Sequence, residues 1–439
     1  VSSEINQKYL VQPGGRLQGK LRVPGDKSIS HRSIMLGALA EGTTQVSGFL
    51  EGEDALATLA AFRAMGVEID GPDNGNVTVH GVGMHGLKAT EKDIYLGNSG
   101  TSIRLLSGLL AGQNFDCTLT GDSSLSGRPM RRVTDPLAEM GASIDSNEGK
   151  PPLKINGGSQ LNSINYVLPM ASAQVKSCVL LAGLYAQGTT TVKEPAPTRD
   201  HTERMLQGMG YHVAVDGDTV SLQGGGKLTA TSIDVPADIS SATFFMVGAA
   251  IAEGSDITLT HVGINPTRIG VINILRLMGA DITLSNEAVT GGEPVADIRV
   301  RYAPLKGIEI PEDQVPLAID EFPAIFIAAA CADGRTVLTG AEELRVKESD
   351  RIQAMADGLE ILGVDAQATA DGIVINGGPI GSGEVDSLGD HRIAMSFAMA
   401  GLQAGGTIHI NDCANVATSF PNFVELATHA GLDVTEIDG

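Results

Sequence analysis

The sequence predicts an α/β protein built from six βαβαββ units, three to a domain. Two observations carry this prediction. One phrase recurs six times: an apolar helix-like run closes near a glycine, a β-like run follows, and a second helix closes on a Met-Gly, Leu-Gly or similar stop. The first stops are Gly42, Gly112, Gly188, Gly254, Gly334 and Gly406, and the second are Gly66, Gly141, Gly210, Gly279, Gly363 and Gly431. The second stops are spaced by 75, 69, 69, 84 and 68 residues. The other observation is length: 439 residues exceed one ordinary core and suit two.

The first helices are expected at Ile29–Gly42, Thr101–Gly112, Ala173–Gly188, Ser241–Gly254, Phe322–Gly334 and Arg392–Gly405. They are apolar on nearly every side, which marks helices buried all round, and a glycine at each stop would supply a left-handed cap. Thr/Val/Ile-rich runs follow them at Thr43–Gly48, Thr118–Gly121, Thr189–Glu194, Asp256–Val262, Arg335–Thr339 and Thr407–Asn411, and read as strands. The second helices are amphipathic, as in Ile269–Met278 and Asp350–Leu362. Strands follow at Val67–Asp70, Ala142–Asp145, Tyr211–Val215, Ala280–Leu284, Val364–Ala368 and Leu432–Ile437. A further strand closes most units, for example Asn76–His80, Thr219–Gln223 and Gly372–Asn376. Gly224-Gly-Gly226 reads as a hairpin turn rather than a phosphate loop. The expected domains are 26–237, and 1–25 with 238–439, with crossovers near 24–26 and 236–240. Leu17–Val23 is expected to be a strand of the second domain.

Composition narrows the function. The 42% hydrophobic and 19% charged content indicates a folded chain. No signal pattern and no apolar stretch of ~18 residues is evident, so a cytoplasmic protein without a membrane partner is expected. The four cysteines, Cys117, Cys178, Cys331 and Cys413, are scattered and read as buried reduced thiols. No metal site is expected. A net charge of −22 repels nucleic acid, and also any anionic substrate unless cations gather in one place.

Cations do gather at the starts of the buried helices. Those starts read Gly25-Asp-Lys-Ser-Ile-Ser-His-Arg32, Gly97-Asn-Ser-Gly-Thr-Ser-Ile-Arg104, Pro169-Met-Ala-Ser-Ala-Gln174, Asp238-Ile-Ser-Ser241, Ile319-Asp-Glu-Phe322 and Gly389-Asp-His-Arg392. Ser, Asn and Asp there are ordinary caps. Lys27, Arg32, Arg104 and Arg392 are not, because a cation at the positive end of a helix dipole costs a few tenths to ~1 kcal/mol. A bound anion would compensate. Arg128, Arg131, Arg132, Arg199, Arg268 and Arg351 begin second helices. Pro197-Thr-Arg199 and Pro266-Thr-Arg268 echo each other, each stopping 11 residues after the Arg. Asp320 and Glu348 are candidate working carboxylates; Glu348 lies between Lys347 and Arg351. The residues alone point to transfer chemistry on small polyanions in a cleft between domains.

Several motifs together resemble the 5-enolpyruvylshikimate-3-phosphate synthases. They are Pro24-Gly-Asp-Lys-Ser-Ile-Ser-His-Arg32, Leu96-Gly-Asn-Ser-Gly-Thr101, Arg128-Pro-Met130, Pro169-Met-Ala-Ser-Ala-Gln-Val-Lys-Ser177, Asp320-Glu-Phe-Pro323, Leu344-Arg-Val-Lys-Glu-Ser-Asp-Arg351 and Asp390-His-Arg-Ile-Ala-Met395. The surrounding wording is similar to the class II bacterial branch. The resemblance implies a two-domain inside-out α/β barrel, the enolpyruvyl transferase fold. It implies transfer of the enolpyruvyl group of phosphoenolpyruvate to the 5-hydroxyl of shikimate 3-phosphate, without cofactor, in a monomer that closes on its ligands. By motif, shikimate 3-phosphate would be held by Lys27, Ser28, Arg32, Ser172, Ala173, Gln174, Arg199, Asp320 and Lys347. Phosphoenolpyruvate would be held by Lys27, Asn98, Gly100, Arg128, Gln174, Arg351 and Arg392. Lys27, Asp320 and Glu348 would be catalytic.

Two positions depart from the family pattern. Thr418-Ser419 stands where many members have a Lys near the C-terminus, and Leu105 stands where better-known members have Pro. Gly100 resembles forms inhibited by glyphosate. The nearest rival is the UDP-N-acetylglucosamine enolpyruvyl transferase, which shares the fold but uses a loop cysteine, whereas Cys117 lies in a strand-like run. A nucleic-acid-acting relative of the RNA 3′-phosphate cyclase type is disfavoured by the charge and by ~4% aromatics. A non-catalytic member of the fold would not need the charged motifs.

Overall fold

The computed structural model describes residues 7–438. They form two compact units. One comprises the chain up to Pro24, Pro236–Val289 and everything from Pro294 onward; the other comprises Gly25–Val235 with Thr290–Glu293. We call them the split unit and the continuous unit. Each has its own apolar core. No described helix is long and apolar enough to cross a membrane.

Each unit contains three sheets, and all six share one wiring. A strand that follows a buried helix pairs antiparallel with the closing strand of its unit, which pairs antiparallel with the strand after the second helix. In the continuous unit these are Ala40–Ser47, Asn76–Val82 and Glu68–Asp73; then Cys117–Thr120, Lys150–Asn156 and Ser143–Asn147; then Thr189–Lys193, Thr219–Gln223 and Val213–Asp216. The other side of each first strand carries a parallel neighbour, such as Ile94–Tyr95 beside Cys117–Thr120. β-Branched residues dominate these runs because they suit a half-buried pleated surface.

The sixth sheet is closed from the far end of the chain. Gln7–Gly15, not anticipated as a strand, lies between Ile408–Asn411 and Leu432–Asp438 and pairs antiparallel with both. Its neighbour Gln18–Leu21 pairs parallel with Asp256–Gly263. Gln7–Gly15 ends in Gln-Pro-Gly-Gly, which reads locally as a turn; two long-range partners override that signal.

The buried helices are Lys27–Leu39, Gly100–Ala111, Ala173–Gly183, Ile239–Ile251, Phe322–Cys331 and His391–Ala400. Every residue of Ile239–Ile251 is buried. They pack closely: a Cβ on Gly108 would lie 2.1 Å from the Cys178 carbonyl oxygen, so the first of two contacting helices has no room for a side chain there. All six end before the glycines expected to cap them. Gly42 lies inside the strand Ala40–Ser47, and Gly112 caps with φ −88° rather than a left-handed turn. Gly42, Gly188, Gly254 and Gly334 are left-handed, with φ between 80° and 102°, but lie three or more residues past the helix end. The stops of the second helices are left-handed throughout. Gly66, Gly141, Gly210, Gly279, Gly363 and Gly431 all have φ between 82° and 120°, a region open to glycine at little steric cost.

Gly224-Gly-Gly226 is not a hairpin turn. It joins Thr219–Gln223 of one sheet to Leu228–Thr229 of another, where the latter pairs parallel with Ala40–Glu41. The glycines are required because a Cβ on Gly224 would fall 1.9 Å from the Ala186 carbonyl oxygen.

Candidate functional site

In the continuous unit, Asp26 caps Lys27–Leu39 by accepting from Ile29 N at 2.9 Å. That places Lys27, Ser28 and Arg32 in the first two turns. Lys27 pairs with Asp54. Arg32 is buried and donates to Thr202 Oγ1 (2.7 Å), Ser177 Oγ (2.8 Å) and the Ser28 carbonyl (2.9 Å). Burial pulls its pKa down to about 10, against the pull of Glu203 and Asp26. Arg199, just before the helix His201–Gly208, donates to Ser28 Oγ at 3.4 Å. Ser28, Arg32 and Arg199 therefore form one corner.

A second corner gathers around the helix Gly100–Ala111, which Ser99 caps. Arg128 donates to Asn98 Oδ1 at 2.5 Å. Arg104 donates to Gln174 Oε1 at 2.8 Å, and Gln174 Nε2 donates to Thr101 Oγ1 at 3.1 Å. A Cβ on Gly100 would lie 2.8 Å from one Arg104 nitrogen and 2.9 Å from one Arg128 nitrogen. The glycine therefore lets two guanidinium groups converge on a helix N-terminus. Ser172 caps Ala173–Gly183, whose first turn carries Ala173 and Gln174. Leu105 is fully buried in the core of the continuous unit.

Beneath both corners lie groups that sequence reasoning passed over. Lys176, only 1% exposed, reaches Glu203 at 2.7 Å and Glu194 at 3.1 Å. Burial raises the pKa of Glu194, while Lys176 and the Thr198 hydroxyl oppose the rise. The signal was a single Lys in an otherwise apolar helix. His31 is equally buried; its Nδ1 meets Thr58 Oγ1 at 2.8 Å, and Thr58 Oγ1 meets Ser102 Oγ at 2.7 Å. Burial, Lys27 and Arg32 hold His31 well below the usual imidazole range, so it is neutral.

The split unit gathers the other predicted residues. Arg351 is 1% exposed and surrounded by carboxylates: Asp390 at 2.8 Å, Glu348 at 2.5 Å and Asp320 at 3.3 Å. Burial alone would lower its pKa; Asp390, Glu348 and Asp320 outweigh burial and raise it. Lys347 lies 2.7 Å from Glu343 and 3.4 Å from Asp320. Burial would lower its pKa too, but Asp320 and Glu343 hold it above the usual lysine range. Arg392 donates to the Asp320 carbonyl at 3.0 Å and lies 3.8 Å from Glu321. Asp320, Lys347, Glu348, Arg351 and Arg392 thus form one connected group. Its hub is Arg351, which links Asp320, Glu348 and Asp390; Asp390, absent from the predicted site residues, also caps His391–Ala400. Thr418 Oγ1 donates to the Asn415 carbonyl at 2.7 Å and supplies no cation there.

All four cysteines are free thiols. Burial pushes each of them up to about 12, so none is a ready nucleophile. Cys117 is part of the strand Cys117–Thr120. The two clusters bring together cations, helix ends and carboxylates, the groups that a transferase for small anions needs.

Comparison with known proteins narrows the class to one family. The family model for EPSP synthase (3-phosphoshikimate 1-carboxyvinyltransferase) matches residues 11–426. A 3-phosphoshikimate 1-carboxyvinyltransferase of Methylococcus capsulatus is 71% identical, over 97% of this chain and 98% of its own. That of Hydrogenovibrio crunogenus is 65% identical, over 99% of each. The solved EPSP synthase of Acinetobacter baumannii is 63% identical and superposes with a TM-score of 0.90, covering 98% of this chain and 100% of its own. The chain belongs to the EPSP synthase family and is a transferase of the shikimate pathway. These matches support the main reading over the UDP-N-acetylglucosamine enolpyruvyl transferase alternative.

Proposed function

We propose that each predicted site residue serves the family reaction on this chain: transfer of the enolpyruvyl group of phosphoenolpyruvate to the 5-hydroxyl of shikimate 3-phosphate, with release of phosphate. The observation that supports it most is the sorting of the predicted residues into two chemically distinct groups. The continuous unit holds Arg32 and Arg128 on neutral partners and pairs Lys27 with one carboxylate, Asp54; the split unit interleaves Lys347 and Arg351 with several carboxylates.

The corner of Ser28, Arg32 and Arg199 suits the phosphate of shikimate 3-phosphate, joined by Ser172, Ala173 and Gln174. Lys347 and Asp320 suit its ring hydroxyls. Arg128, Asn98, Gly100 and Gln174 suit the phosphate side of phosphoenolpyruvate, whose carboxylate would take a planar guanidinium from Arg392 or Arg351. Asp320 takes the proton of the 5-hydroxyl as its oxygen bonds to C2 of phosphoenolpyruvate. Glu348, held by Arg351, delivers a proton to C3. The adduct then loses phosphate as Glu348 takes a proton back from C3, which restores the double bond, and the proton held by Asp320 departs with the phosphate. Lys27 stabilises charge on the phosphate and the bridging oxygen.

We read the six like-wired sheets as six repeats and the two units as the two domains of the enolpyruvyl transferase fold. The enzyme works as a cytoplasmic monomer on small molecules. Phosphate release from phosphoenolpyruvate tests the reading. It should require shikimate 3-phosphate, and UDP-N-acetylglucosamine should not replace it. Release that depends on the nucleotide sugar and ignores shikimate 3-phosphate would overturn it.

A further inference from the structure

The echo between Pro197-Thr-Arg199 and Pro266-Thr-Arg268 extends to what these arginines hold. Asp26-Lys-Ser28 starts one buried helix and Asp238-Ile-Ser240 starts another. In the continuous unit, Arg199 donates to Ser28 Oγ at 3.4 Å. In the split unit, Arg268 donates to Ser240 Oγ at 2.6 Å and to the cap Asp238 at 3.0 Å. The same clasp, an Arg before a second helix bonded to the Ser two residues after an Asp cap, is built twice.

The two copies differ in what surrounds them. Lys27 and Arg32 of the first are replaced by Ile239 and Phe244 in the second. The second also contains a carboxylate. Ser240 Oγ donates to Glu321 Oε1, and the same oxygen lies 3.9 Å from Arg268 and 3.8 Å from Arg392. The Glu321 side chain is 2% exposed, between Arg268 at 3% and Arg392 at 13%. A carboxylate so deeply buried is costly unless cations and hydrogen bonds receive it. The residue before it is Asp320, whose carbonyl accepts from Arg392 at 3.0 Å.

We propose that Glu321 is a resident anion: it fills, in the split unit, the kind of seat that the continuous unit's clasp offers to a substrate phosphate, and it thereby positions Arg392 and the peptide carrying Asp320. The kinetic half of this inference rests on the reading of Arg392 as a phosphoenolpyruvate ligand. Glu321 touches no substrate in this account and is a positioning residue. The duplicate clasp has lost a ligand site and gained an internal strut.

Two arms test this. In the first, no substrate is present. Glu321→Ala vacates the seat, so formate should raise its thermal midpoint beyond the effect of equal chloride, and beyond any effect on the parent protein. Adding Ser240→Ala should abolish that response. Equal responses of parent and variant overturn the resident anion. In the second arm, KM for phosphoenolpyruvate should rise about tenfold in Glu321→Ala, while KM for shikimate 3-phosphate stays within about twofold; formate should reverse the rise. Glu321→Gln, which keeps an acceptor for Ser240 without the charge, should show the same selective rise to a smaller extent and covers the case in which the alanine variant does not fold. Equal rises in both KM values, or none, overturn the positioning role. A parent protein inactive with both substrates would overturn the proposed function, while the formate arm would still decide the fate of Glu321.

Discussion

The two units hold site arginines in opposite ways, Arg32 and Arg128 against Arg351, while Lys27 of the continuous unit keeps a carboxylate partner in Asp54. In the continuous unit, Arg32 donates to two hydroxyls and a carbonyl, and Arg128 donates to an amide oxygen. Neutral partners orient a guanidinium without cancelling its charge. In the split unit, Arg351 faces three carboxylates and Lys347 faces two. Carboxylate partners cancel charge but keep ionised oxygens beside fixed cations. The first arrangement suits a multiply charged anion, the second suits proton transfer. An acidic protein can thus bind anions by withholding acidic partners from a few arginines.

The strongest test of this division is Glu348→Gln. It should lower kcat by about 10²–10⁴-fold, the usual worth of a positioned acid–base group, while leaving the dissociation constant of shikimate 3-phosphate nearly unchanged. Near-normal turnover would remove Glu348 from proton transfer and blur the contrast between the units. Lys176→Met probes the one buried lysine of the continuous unit that does have carboxylate partners. It leaves Glu194 and Glu203 buried without their cation and should cost about 3–5 kcal/mol of stability. Urea unfolding should also show that the loss shrinks as pH falls and the two carboxylates take up protons.

Smaller effects sharpen the picture. Arg128→Ala should weaken phosphoenolpyruvate by about 1.5–3 kcal/mol, the range for a hydrogen bond to a charged group, with less effect on shikimate 3-phosphate. Calorimetric titration with each ligand separates the two. Gly100→Ala introduces a Cβ into contact with both Arg104 and Arg128. These are movable side-chain ends, so the fold should survive and KM for phosphoenolpyruvate should rise about tenfold, or ~1.4 kcal/mol. The smallest effect concerns His31, whose folded pKa is depressed by burial, Lys27 and Arg32. The unfolded chain binds the proton more readily. The stability due to neutral His31 is therefore complete above about pH 6.5 and is lost as pH falls below it, by up to ~1.4 kcal/mol per pH unit. His31→Asn should flatten that acid limb in denaturation measured between about pH 7 and 5.

Much of this molecule was legible in its sequence. The second-helix stops mark left-handed glycines, and the Thr/Val/Ile runs mark strands, because both are governed by the residue's own backbone preferences and its near neighbours. The apolar helices announce their burial by lacking a polar face. Lys27, Arg32, Arg104 and Arg392 stood out because cations placed against helix dipoles conflict with local electrostatics; neutral site residues such as Asn98, Ser172 and Gln174 came only from the resemblance of their motifs.

Only the tertiary structure decided who partners whom. Asp390 serves Arg351 across 39 residues, Ser240 meets Glu321 across 81, and Arg32 meets Thr202 across 170. No local pattern encodes such pairs, because ion pairing inside a protein is set by which helix ends packing brings together and how far it excludes water. The same holds for Gln7–Gly15, a strand whose only reason to be one is the pair of distant strands on either side. It holds as well for Gly224-Gly-Gly226, where the nearby Ala186 carbonyl, not a turn, requires glycine. Local chemistry determined the elements and the inventory of charges; long-range packing determined which charges stay available and which are cancelled.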